Sequence, residues 1–248
     1  MEQKFSIPTE MVSLPSKGLL YPKDSPLSKG EIEMKYMSAR EEDILTNRNF
    51  LINGTWLDKL LKALIITPID YNDLLIADKD AILIAARILG YGKDYKVMYS
   101  GKEEIVDLSS LKEKEIDLKL FESGINDFSF TLPTTGNTVT FKLLTHSDDQ
   151  KIEQEIRGLQ KVNPEGSYAL TTRMKHIITS INGNRDIKTI REFVDTALLA
   201  PDARALRKYY NKISPGIELI FTPNDPNYVG EGVEFELDSN FFWPDTGV

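Results

Sequence analysis

The stretch "THSDD" at 145–149 places His146, Ser147, Asp148 and Asp149 side by side, the residue types of a hydrolytic triad. Triad members meet in space from distant positions, and here a blander reading suffices: Ser147 with Gln150 fits a helix cap, and the two aspartates suit a helix N-terminus. The second histidine, His176, stands among Met174, Ile177 and Ile178 with no partner histidine four residues on, so it does not suggest a metal ligand. Carboxylates are plentiful in "REED" and "LKEKEID", yet nothing marks a pair for acid–base work. "GYGKD" at 90–94 follows a helical pattern, where Gly90 suits a C-cap and not a phosphate cradle. The absence of cysteine from the sequence excludes disulfides, thiol nucleophiles and cysteine-held zinc. The expectation is a protein that is not an enzyme, with no cofactor and no metal.

Composition points the same way. At 248 residues and 41% apolar content the chain can bury a sizeable core. A formal charge of -8 opposes nucleic acid unless a local basic face overrides it. The best such face, Arg204, Arg207, Lys208 and Lys212, reads as the solvated side of a helix. No apolar run approaches a membrane span, and "MEQKFSIPTEM" lacks the build of a signal peptide, so a cytosolic product without a membrane span or nucleic-acid partner is expected.

The elements fall into four stretches. Residues 1–30 carry four prolines and two glycines between isolated apolar residues, which predicts an extended arm without its own core. Leu14, Pro15, Leu19, Leu20 and Tyr21 must then lie on another surface, of this chain or of a neighbour; they are candidate partner-binding residues. Residues 31–94 begin with the alternating strand "EIEMKYM", followed by a Ser38/Glu41 capping box. A helix follows over 55–66 with a Leu57, Leu60, Leu61, Leu64 stripe and a Thr55/Asp58 cap. The helix from Asp78 to Gly90 is apolar nearly all round and belongs at a centre, with Arg87 near its end paired to an acidic group such as Glu41 or Glu42.

Residues 95–145 switch to a two-residue period in "YKVMYS", "EEIVDL", "IDLKLF", "FSFTLP" and "VTFKLL", the last two forming a hairpin around "TTGN". Residues 146–248 return to helix up to 213, with Asp186 as a cap and Asp202 following Pro201 into a further helix. A strand pair in "PGIELIFTP" and "GVEFELD" then precedes the tail "FFWPD". The fold class is therefore α+β: two helical units separated by a β-rich insertion. Phe241, Phe242 and Trp243 with Pro244 are the second set of candidate partner-binding residues. In an extended tail Phe242 faces away from Phe241 and Trp243, so one side is expected within the chain and the other on a partner.

The order of "SLPSKGLLYP", "SAREED", "ILIAARILGYGKDY", "FSFTLPTTGNTVTFKLLT" and "FFWPD" resembles the T4-type bacteriophage baseplate protein family, across nearly the whole chain. The resemblance implies a baseplate hub subunit or hub assembly protein. It implies no catalytic residues, other baseplate and hub proteins as partners, and multiple copies in the baseplate. The implied location is the virion tail baseplate, with the host cytoplasm during assembly. Relatives carry CxxC-like knuckles over "YKVMYSGKEEIVDL" and "IFTPNDPNYVGEGVEFEL"; this chain has none there, so no zinc is implied. Three roles follow as expectations: a structural subunit first, then an assembly factor absent from the mature virion, then an envelope-degrading enzyme.

Overall fold

The computed structural model describes residues 6–225, 228–237 and 241–243. It is an α+β protein, with eight α-helices and four small antiparallel sheets among those residues. The buried apolar side chains form one contiguous cluster running from Leu14 to Phe242.

The arm does not stay outside that core. β1 (Thr9–Ser13) pairs antiparallel with β2 (Glu31–Lys35), with Val12 opposite Ile32. Between the two strands the chain folds inward and buries Leu14, Leu20, Tyr21 and Leu27. Glycine makes the fold-back possible: Gly18 and Gly30 both have φ of 74°. A Cβ on Gly18 would stand 2.5 Å from the Gly30 nitrogen and the Ser28 oxygen, so the two runs of backbone touch. Turn bonds such as Leu14 N–H to Gly30 O (2.8 Å) and Lys17 N–H to Leu14 O (2.8 Å) satisfy the backbone that prolines keep out of a central ladder.

α1 (Ala39–Thr46) carries the expected Ser38/Glu41 capping box, and a short α2 (Arg48–Ile52) follows. α3 (Trp56–Leu64) buries the expected stripe through Leu60, Leu61 and Leu64. Its N-cap Thr55 makes no side-chain cap bond, and Asp58 turns to Tyr71 and Lys79 instead. α4 (Ile76–Tyr91) is the central helix, burying Ile82, Ile84 and Ala86. It runs through Gly90 to end at Gly92, so the C-cap lies two residues later than the sequence suggests. Gly90 is small for another reason: a Cβ there would lie 2.8 Å from Met37 Cε. Arg87 donates to the carbonyls of Gly92 (2.7 Å) and Asp94 (3.1 Å), clamping the chain as it leaves the helix. Of its expected partners, Glu41 is held by Lys35 and Glu42 by the Tyr91 hydroxyl.

β3 (Asp94–Tyr99) and β4 (Lys102–Asp107) form a tight hairpin on Ser100 and Gly101, whose φ values of 49° and 76° suit a primed turn. "IDLKLF" is not a strand; Asp117 caps a single 3-10 turn over Leu118–Leu120. β5 (Phe128–Thr131) and β6 (Thr138–Phe141) make the expected hairpin.

α5 (His146–Val162) is capped by Thr145 with Asp148, two residues before the Ser147/Gln150 pair favoured by sequence. α6 (Ala169–Ile177) leads directly into β7 (Ile178–Ile181), which joins β6 antiparallel inside the stretch expected to be wholly helical. α7 (Ile187–Thr196) has its Asp186 cap, and α8 (Ala200–Ile213) carries Pro201 and Asp202 in its first turn, as expected. Asp202 also accepts from Thr134 N–H (2.7 Å), Thr135 N–H (3.2 Å) and Thr135 Oγ1 (2.9 Å), tying α8 to the β5–β6 loop. β8 (Ile220–Phe221) and β9 (Val233–Glu234) are the expected last pair.

Candidate functional site

The two sets of candidate partner-binding residues both turn inward. In the arm, Leu14, Pro15, Leu20 and Tyr21 are buried and Leu19 is half-buried. Their anchor is Asp78 on α4, itself fully buried. Its carboxylate accepts from Ser16 N–H (2.8 Å), Ser16 Oγ (2.6 Å) and Tyr21 OH (2.7 Å). The same Tyr21 oxygen accepts from Leu75 N–H at 3.0 Å. Burial pushes the Asp78 carboxyl up, against the pull of its three donors, and burial beside Asp78 pushes the Tyr21 hydroxyl up. These residues fasten the arm to the chain's own core and are not displayed to a partner in this structure.

In the tail, Phe241 is 3% exposed, Phe242 1%, and Trp243 is half-buried against the core. Phe241 meets Tyr95 edge-on at 5.2 Å, Phe242 meets Trp56 at 5.8 Å, and Trp243 lies 5.0 Å from Trp56. The expected split between chain and partner assumed an extended backbone. Residues 241 and 242 instead lie in a turn, which brings their rings to 5.2 Å at 88° and lets one surface take both. Pro244 lies outside the described residues.

The two histidines each join a cluster of charged side chains, one buried around His146 and one half-buried around His176. His146 is 3% exposed, its Nε2 3.3 Å from Asp58 Oδ2, its ring 4.6 Å from Tyr71. Asp58 also receives Lys79 (2.9 Å) and the Tyr71 hydroxyl (3.1 Å). Neither ring nitrogen of His146 finds a well-aligned hydrogen bond, and burial lowers its pKa in spite of Asp58. In the second cluster Glu155 of α5 receives both Arg191 nitrogens at 2.7 Å and His176 Nε2 at 3.0 Å, joining α5, α6 and α7. Arg191 first, then His176, holds Glu155 down at about 2, against its burial. Sequence reasoning missed both clusters because their members lie on different helices.

Among the described residues no group of three or more histidines or acids could hold a metal ion, and no helix is long and apolar enough to cross a membrane. On α8, Arg204, Lys208 and Lys212 are exposed and Arg207 is half-buried. α2 buries none of its residues, leaving Phe50 half-covered, Leu51 exposed and Ile52 71% exposed. The outer face of the β3–β4 hairpin presents Met98 (71%) and Ile105 (64%). Comparison with protein-family models, curated proteins and solved structures found no match to this chain.

Proposed function

We propose that this chain is a structural subunit of a contractile-tailed bacteriophage baseplate, in the hub region, acting through protein–protein assembly and not catalysis. One contrast carries the assembly reading: His146 is buried and the Glu155 carboxylate is taken up by Arg191 and His176, while apolar side chains stand exposed on α2 and on the outer face of β3–β4. Isolated exposed apolar residues are ordinary, but a helix with no fully buried residue gains little from its own core and is suited to burial by a neighbour. The phage assignment is supported by the ordered resemblance of its segments to the T4-type baseplate family. Its partners are then other baseplate and hub proteins, met first in the host cytoplasm and kept in the virion tail.

Mass spectrometry of purified virions tests this: the chain is expected at a fixed ratio to tail proteins. Its presence in infected cells but absence from particles would make it an assembly factor. Solubilisation of cell-wall material by the purified protein would replace the whole reading with an enzymatic one.

A further inference from the structure

A cleft of about 660 Å³ opens where three distant stretches meet: the arm at 20–26, the segment at 70–75 and the loop at 124–126. That volume lies within the roughly 300–1,000 Å³ typical of ligand clefts. Its walls include Tyr21, Pro22, Pro26 and Leu75. They are held in place from behind. Tyr21 is fixed by Asp78 and Leu75, Asn126 exchanges two bonds with the Leu143 backbone (2.8 and 2.9 Å), and Gly124 N–H donates to Leu19 O at 2.7 Å.

The charge in the cleft is of one sign. Asp24, Asp70 and Asp73 line it, all exposed, and no lysine or arginine does. The Lys23 stem passes near Gly124, where a Cβ would lie 3.6 Å from Lys23 Cγ. Apolar walls with an acidic border match a side chain that is apolar along its stem and cationic at its head, which describes lysine and arginine.

We propose that this cleft docks an extended, lysine- or arginine-bearing segment of a partner protein. The stems lie on Pro22 and Pro26, which Tyr21 backs from beneath, and the charged heads reach Asp24, Asp70 and Asp73. The inference rests on the assembly reading above and adds to it the chemistry of one partner segment. It also gives the arm a part in binding: once buried, the arm forms a wall of the site.

The test uses the intact chain and a library of random short peptides, with selected peptides resynthesised and measured by fluorescence anisotropy. The comparison protein is the double variant Asp24→Asn/Asp73→Asn; Asp70 is left alone because it caps the turn at Asn72. Selected peptides are expected to be rich in lysine or arginine, to bind the double variant about fivefold or more weakly, and to weaken as salt rises. The same charge change elsewhere, Asp43→Asn/Glu165→Gln, should leave binding intact. Failure to select any peptide, selection of peptides without basic residues, equal binding by the double variant, or displacement by spermidine as effective as by peptide would each overturn the proposal. Because peptide binding is read on purified protein, its loss in the double variant upholds the cleft even if the chain is absent from virions. Equal binding overturns the cleft even if the chain is present there.

Discussion

The arm from Thr9 to Gly30 is fastened through a carboxylate, whereas residues 241–243 are fastened through rings. Asp78 holds the arm with three directed hydrogen bonds from Ser16 and Tyr21. Trp56 and Tyr95 hold the tail by edge-on and tilted ring contacts. Both segments reach the same contiguous core. The difference teaches that a terminal segment can be tied down in two ways: a directed tie fails when one donor or acceptor is lost, and a ring tie fails in proportion to the volume removed.

Deleting residues 1–28 breaks the comparison most severely. It removes Leu14, Leu20, Tyr21 and Leu27, together worth about 6–12 kcal/mol if each contributes the usual value for full burial. Typical domain stability is about 5–15 kcal/mol, so the truncated chain should show no cooperative transition in urea. A deletion mutant melting near wild type would show the arm's burial to be dispensable.

Phe242→Ala should cost about 3–5 kcal/mol, since its ring is fully enclosed. Trp243→Ala, at a half-buried ring, should cost about 1 kcal/mol, near the worth of one aromatic pair. Urea midpoints with unchanged slopes give both values, and a larger loss at Trp243 would mean the tail is anchored from its outer side.

Asp78→Ala should cost about 3 kcal/mol by stranding the Ser16 and Tyr21 donors. Asp78→Asn keeps an acceptor and should cost less. Because burial raises the Asp78 pKa, the folded state holds its proton to higher pH than the unfolded state does, so this group's contribution falls as pH rises above about 4. The Asn variant should lose that slope; an unchanged slope would put the titration elsewhere.

The smallest expected effect is a pH window that separates the two histidine clusters. The folded-state pKa of His146 is lowered, so its contribution is full above the unfolded value of about 6.5 and is lost as pH falls below it. Glu155, held at about 2, contributes above its unfolded value and loses that contribution only as pH falls from about 4.5 toward 2. Melting temperatures between about pH 7.5 and 5.5 should therefore fall in wild type and flatten in His146→Leu. A slope that persists in the variant would assign this window to another group.

What the sequence determined by itself is what short-range geometry determines. The Ser38/Glu41 box, the α3 stripe, the central α4, the Asp186 cap and the β5–β6 hairpin depend on residues a few positions apart, whose spacing is visible in the text of the chain. The apolar character of the arm and of the tail rings was also plain, and with it the need for cover. The cover itself was decided only by tertiary structure. Hydrophobic burial has no direction and names no partner, so Phe242 could have met any apolar surface before the turn at 241–242 brought it to Trp56. β7 was hidden for a related reason: "IITSI" follows a helix without a break, and only the edge of β6 makes it a strand. Asp78 looked like an ordinary acid in the first turn of a helix; its role depends on donors 57 and 62 residues away in the chain, which local spacing cannot show.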